Sequence, residues 1–509
     1  MQLSRSSGIL LHVSSLPSPF GIGDLGSGAH AFLDYLHRAG QRVWQVLPLV
    51  PVDNGGSPYS SSSTFAGNPL FVSPELLAEE GLVDEEVVRS AREEARVGRE
   101  DRVDYRAAHA LKDRILGEAL RGFRANASPA LVDAYQAFRH AQEHWLGDYA
   151  LFTAIKESQG GQAWTSWPSE VSRRDPLALD AARRELAERV EHHAFAQFLF
   201  ERQWQRLRQR ANSMGIRIFG DLPIYVAHDS ADVWAHPELF HLDGDGNPTV
   251  VSGVPPDYFS ETGQRWGNPI YRWDLMAMND YRWWLDRFER CFQLVDLLRI
   301  DHFRGMQAYW EIPASEPTAV HGRWVAGPGA ALFKALERRM GRLPIVAEDL
   351  GIITPDVTAL MEELGLPGMA VLHFAFGGDA TSSYLPHNFK RDLVAYTGTH
   401  DNDTTVGWWR ARADATLDSQ GGRERAYAAR YLRTVSDSEV HWAFIHLLMV
   451  SVANLVIVPM QDVIGVGSEG RMNVPGKNEG NWLWRARASD LREDSALRLR
   501  EMAEVYGRA

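Results

Sequence analysis

Short apolar runs without internal alternation recur along the chain at residues 9–13, 43–47, 216–219, 295–300, 344–347, 370–374, 393–397 and 455–459. Runs of Val, Ile and Leu uninterrupted by polar positions are the pattern of strands buried on both faces, as in a parallel sheet covered by helices. Amphipathic stretches such as 29–39 separate several of them, so strand and helix alternate. Eight such strands predict an α/β fold, specifically a (β/α)₈ barrel closed on itself. We therefore expect one catalytic barrel over residues 1–509, with inserted, largely helical and loop subdomains around its C-terminal face.

The spacing of the runs is uneven. Residues 51–215 form an insertion between the second and third strands, a Ser/Gly loop at 54–63 followed by Glu/Arg/Ala-rich sequence with Phe195, Phe198 and Leu199 at helical spacing. A second insertion, 227–280, is rich in turn signals and aromatics and is expected to be loop-like. The apolar stretch 444–460 is broken by His446, Ser451 and Asn454, which favours a buried helix leading into a strand over a membrane span.

Composition narrows the chemistry. The 509 residues are 45% hydrophobic and 23% charged, ordinary globular values, and the formal charge of -13 with no basic run argues against nucleic acid or an anionic membrane as partner. An uncharged substrate fits better. The single cysteine, Cys291, excludes an intrachain disulfide and a multi-cysteine metal site, consistent with a reducing, cytoplasmic setting.

Three strand-like runs lead into candidate catalytic groups. The fourth ends at Asp301, the fifth at Glu348, and the seventh approaches His400 and Asp401. In a parallel barrel, catalytic groups come from the C-terminal ends of different strands, and glycosidic bond cleavage commonly uses facing carboxylates. Arg299 shares a strand face with Asp301 by the two-residue period, and a guanidinium that close keeps a carboxylate ionised. Glu348 against apolar walls suits a general acid, with Asp349 as the rival, because alternation lets only one of the two point into the mouth.

His400, Asp401 and Asp403 lie in a Gly-containing turn, where they suit either sugar hydroxyls or a hard cation; the remainder of a calcium loop is missing, so no metal is expected. Gly21-Ile22-Gly23-Asp24-Leu25-Gly26 satisfies a dinucleotide fingerprint, but Ser14 to Phe20 separates it from its strand, so no nucleotide cofactor is expected either. Asp243-Gly244-Asp245-Gly246-Asn247 mimics an EF-hand start and reads as a turn, since Pro248 and Val254 stand where glycine and glutamate are needed. Of 17 Trp and 15 Tyr residues, loop aromatics such as Tyr59, Tyr258 and Trp266, with Phe259, are candidates for stacking on sugar rings.

Several motifs taken in order resemble the amylomaltases, or 4-α-glucanotransferases, a branch of the α-amylase clan. They are Ser57-Pro58-Tyr59 with Ala66-Gly67-Asn68-Pro69, Gly220 to Val226, Gly253 to Phe259, Arg299-Ile300-Asp301-His302-Phe303-Arg304-Gly305, Ala347 to Gly351, Gly398 to Asp401 and Arg471 to Gly476. The resemblance implies a retaining mechanism with Asp301 as nucleophile, Glu348 as acid and base, and Asp401 with His400 holding the distorted sugar. It further implies that Arg299 orients Asp301 and that Ser57, Tyr59, Asp221, Trp266 and Asn473 line or shape the cleft. Donors and acceptors would be α-1,4-glucans and maltooligosaccharides, with glucose as a further acceptor. A hydrolase of the same glucans, or a silent glucan-binding protein, is the alternative. Some relatives carry tyrosine where Asn54 stands, as part of a second glucan groove, and Tyr105 is the residue that would keep half of it.

Overall fold

The computed structural model describes residues 3–509 apart from 97, 257–259, 414, 434–435 and 478. Twelve strands are present among them: β1 Ser6–Leu10, β2 Val43–Gln45, β3 Arg217–Pro223, β4 Val250–Val254, β5 Gln264–Pro269, β6 Leu297–Asp301, β7 Ala308–Pro313, β8 Arg323–Ala326, β9 Ile345–Ala347, β10 Gly368–Val371, β11 Leu393–Tyr396 and β12 Leu455–Pro459. Eight pair in parallel in the order β10-β11-β12-β1-β2-β3-β6-β9. The two ends of that order meet where the Ala347 N–H donates to the Pro367 carbonyl at 2.9 Å and the Met369 N–H to Asp349 Oδ1 at 2.6 Å, which nearly closes the barrel.

Each of the eight expected runs overlaps a barrel strand; 455–459 coincides with β12 and the others have shifted limits. The first strand covers 6–10, not 9–13, because Ser6 and Ser7 are 3% and 1% exposed and stand in the wall although neither is apolar. Gly8 explains the small residues: a Cβ there would lie 2.3 Å from the Val43 carbonyl oxygen of β2, so the strands approach closely at this point. The sixth strand starts at Gly368 and gives way at residue 372 to a short 3₁₀ turn.

Helices cover the barrel with apolar stripes. In Ser27–Arg38 the buried positions Ala29, Phe32, Leu33 and Leu36 recur at three and four residues, so one face meets the wall and the other meets water. The long helix Ala187–Ser213 buries Phe195, Phe198 and Leu199 and also fastens the loop that follows β2. Gln197 binds both the N–H and the carbonyl of Gly67, at 2.7 and 2.8 Å, and Gln203 does the same for Ser73. A Cβ on Gly67 would meet the Phe200 ring at 2.0 Å, so glycine is what permits the loop to lie on that helix.

A second sheet, antiparallel in the order β5-β4-β7-β8, stands beside the barrel mouth. β7 follows β6 through the single turn Arg304–Gln307, so the sheet is built directly on the strand that carries Asp301. At the opposite end of the barrel, the fully buried Arg508 donates to the carbonyls of Ser6, Leu448, Met449, Ser451 and Asn454.

The glycine run at 21–26 has a packing role. A Cβ on Gly23 would sit 1.9 Å from the Val13 carbonyl, and the buried Asp24 accepts from the Lys112 ammonium at 3.1 Å. Asp243 Oδ1 accepts the N–H groups of Asp245 and Asn247, both at 2.9 Å, which makes that segment a tight turn.

Candidate active site

β6 presents Arg299 and Asp301 on one face, and the register with β3 sets Asp221 directly beside Arg299. Arg299 donates from Nη1 to Asp221 Oδ2 at 2.6 Å and from Nη2 to Asp301 Oδ1 at 2.7 Å. The Tyr59 hydroxyl donates to the same Asp221 oxygen at 2.6 Å. One guanidinium thus bridges two carboxylates, and a planar, permanently charged fork is suited to that task. Burial pushes the Asp221 carboxyl up, opposed by Arg299, and burial with the Asp221 charge holds the Tyr59 phenol well above its ordinary value, so it remains a donor.

Glu348 follows β9 directly and is 9% exposed. Its Oε2 accepts the His302 N–H at 2.7 Å and its Oε1 the Leu350 N–H at 2.9 Å. Burial pushes its carboxyl up to about 7; Arg299 opposes the shift and the neighbouring negative charge of Asp301 adds to it. Glu348, raised by burial, beside Arg299-paired Asp301 is a pair of carboxylates with divergent environments, the condition for separate acid and nucleophile roles. Asp349, the sequence-level rival, turns instead to the barrel seam, where it binds the Met369 N–H.

Asp401 lies beyond β11. Its Oδ1 accepts the Asn473 amide at 2.6 Å, its carbonyl accepts Arg471 at 2.8 Å, and His400 Nε2 stands 3.4 Å from the same carboxylate. The His400 ring stacks on Tyr59 at 5.1 Å between centroids, and Trp482 lies 5.8 Å from both rings. Asp403 is engaged elsewhere, accepting from Ser468 at 2.7 Å and from the Thr404 N–H at 2.8 Å. Among the described residues, no group of three or more His, Cys, Asp or Glu side chains is arranged to hold a metal ion.

Of the remaining candidates, Ser57 Oγ accepts the Tyr59 N–H at 3.4 Å and shapes the turn that carries the tyrosine. Trp266, on β5, is 39% exposed and meets the His302 ring edge-on at 4.8 Å. Tyr258 and Phe259 lie outside the described residues. Tyr105 is 4% exposed with its hydroxyl on the Trp482 carbonyl, so its ring forms part of the core and offers no face to a second groove. Sequence reasoning missed Trp482 and His302. For His302, the clue was its place inside the Asp301 motif; for Trp482, only its nearness to the Asn473 motif.

Carboxylates of unequal environment at the strand ends of a (β/α)₈ barrel, with an aromatic and imidazole wall beside them, define an enzyme of the glycoside-cleaving barrel class. The family model described as 4-alpha-glucanotransferase matches residues 11–490. The 4-alpha-glucanotransferase of Thermus thermophilus is 51% identical, with all of both chains covered, and that of Synechocystis sp. is 48% identical over 99% of this chain and 98% of the relative. An amylomaltase structure from Streptococcus agalactiae in complex with acarbose superposes with a TM-score of 0.94 at 37% identity, covering 99% of this chain and 100% of that one. The chain belongs to the 4-alpha-glucanotransferase family.

Proposed function

We propose that 4-α-glucanotransfer proceeds in this protein by double displacement on Asp301. The Asp301 carboxylate attacks C1 of the donor glucose unit, the C1–O bond breaks, and Glu348 gives its proton to the departing chain's 4-oxygen. Glu348, now ionised, takes the proton from the 4-hydroxyl of an incoming glucan or glucose, which attacks C1 and expels Asp301 with the α configuration restored. The observation that carries the reading is the Arg299 bridge. It binds Asp301 Oδ1 at 2.7 Å and fixes the position of the nucleophile, while Glu348 is raised to about 7 and can hold a proton near neutrality.

Asp401, with His400, is assigned to the hydroxyls of the sugar being attacked. Asn473 and Arg471 fix the position of Asp401, and the stacked Tyr59 and His400 form the wall on that side. The acarbose in the Streptococcus agalactiae amylomaltase supports an α-glucan as the ligand class. Ser57, Trp266, Tyr258 and Phe259 are assigned to the glucan cleft. The single cysteine supports a cytoplasmic location, and no helix among the described residues is long and apolar enough to cross a membrane.

The test is incubation with maltotriose, following chain lengths and total reducing ends. Redistribution into glucose and longer oligosaccharides at constant reducing ends is expected, whereas rising reducing ends would show hydrolysis to dominate. Asp301→Ala and Glu348→Gln should each lower turnover by at least about a thousandfold with the fold intact, and near-normal activity in either would overturn that residue's role.

A further inference from the structure

His302 stands between the two reacting carboxylates in sequence and in space. Its φ is +52°, in the left-handed region that only a few per cent of non-glycine residues adopt. Two features of the surroundings hold it there. The His302 N–H donates to Glu348 Oε2 at 2.7 Å, and the next N–H, of Phe303, donates to the Glu348 carbonyl at 3.2 Å, so consecutive backbone donors clamp one residue at two points.

The ring has its own seat. The Trp266 ring meets it edge-on at 4.8 Å and 86°. Gly305 leaves the space beside it, for a Cβ at 305 would lie 3.2 Å from His302 Cδ2 and 2.7 Å from Ile224 Cδ1. Among the described residues the buried imidazole Nε2 has no hydrogen-bond partner, and the ring rests against Trp266 and beside Gly305. Burial lowers its basicity to about 4, and the ring is therefore neutral at working pH.

We propose that residue 302 positions Glu348 through its backbone: the left-handed conformation, in which the ring is accommodated between Trp266 and the gap at Gly305, aims the His302 N–H at Glu348 Oε2. This rests on Glu348 being the acid and base of the reaction. The clamp fixes the acid's orientation toward the leaving oxygen, and because an N–H bond favours the ionised carboxylate, it also restrains the upward drift that burial imposes. The same residue joins the acid to Trp266, an exposed ring suited to a bound sugar.

The test compares His302→Gly with His302→Ala, which differ by one methyl group and of which only alanine resists positive φ. The pH profile of kcat/KM for maltotriose reports the titration of Glu348 as its alkaline limb. His302→Gly should keep the limb of the parent with kcat reduced by less than about fivefold, since glycine enters the left-handed region freely. His302→Ala should move the limb upward by about half a unit to one unit and lower kcat by roughly tenfold or more, as the carboxylate loses its N–H donor. His302→Asn, which tolerates the left-handed region, should follow glycine and replaces it if that variant does not fold. Equal limbs in the alanine and glycine variants, or an equal shift in both, would overturn the proposal. Glu348→Gln is assayed beside them: retained turnover there would overturn the role of Glu348 itself, whereas an inactive Glu348→Gln with an unmoved His302→Ala limb would overturn only that of His302.

Discussion

Replacing Glu348 by Gln should remove activity and, at alkaline pH, improve stability relative to the parent. The carboxyl sits at about 7 in the fold against an ordinary value of 4.5. A native value raised above the unfolded one means that the folded chain binds more protons between them, so stability is highest below 4.5 and is lost as pH rises through the folded value. At ~1.4 kcal/mol per unit, the full window corresponds to roughly 3 kcal/mol. Between pH 5 and pH 8, the same linkage leaves roughly 2 to 3 kcal/mol, because part of the titration already lies below pH 5.

Gln does not titrate. It also replaces one acceptor oxygen by an amide nitrogen, which disturbs the bond from the Leu350 or the His302 N–H by an amount that does not depend on pH. The informative quantity is therefore the change with pH. Urea unfolding of the parent and of Glu348→Gln at pH 5 and pH 8 should show their stability difference moving by roughly 2 to 3 kcal/mol in favour of the variant. A difference constant to within about 0.5 kcal/mol, or one moving the other way, would refute the reasoning that burial holds this carboxyl protonated.

Arg508→Ala should cost about 3 kcal/mol, because five carbonyls bound to one buried guanidinium each lose a donor; thermal unfolding should register the loss while kcat below the transition stays unchanged. Asn473→Ala frees Asp401 Oδ1 from its 2.6 Å bond and should lower kcat by roughly ten- to a hundredfold with little change in melting temperature, read by maltotriose kinetics beside calorimetry. Asp221→Asn takes the negative charge from the far side of Arg299, leaving Asp301 as that guanidinium's nearest counter-charge, and should lower turnover by about tenfold or more. An unchanged rate in Asp221→Asn would show that Arg299 holds Asp301 without help from β3.

Much of the site was legible because its parts are local. Arg299 and Asp301 are two residues apart on one strand, so the alternation of a strand places them together whatever the remainder of the chain does. The barrel was legible for a similar reason: strands buried on both faces must be continuously apolar, and the pattern survives insertions as long as residues 51–215. Where small polar residues take wall positions, as Ser6 and Ser7 do, the pattern carries no signal, and the first strand was placed three residues late. The choice of Glu348 over Asp349 was likewise open to alternation alone, since which of the two faces the mouth depends on where the neighbouring strands end.

The chain's own order of residues determined the fold class and the family motifs and named the candidate carboxylates up to the choice between Glu348 and Asp349, all of which depend on periodicity or on neighbours in sequence. The folded arrangement decided who holds those carboxylates. Tyr59 reaches Asp221 across 162 residues and His302 reaches Glu348 across 46, and Asp221 meets Arg299 only because β3 and β6 pair in that register. Such contacts follow from strand register, loop closure and the burial of charge together. No local pattern encodes them, because each is made by groups that share a place in the barrel and nothing in the spacing of the chain.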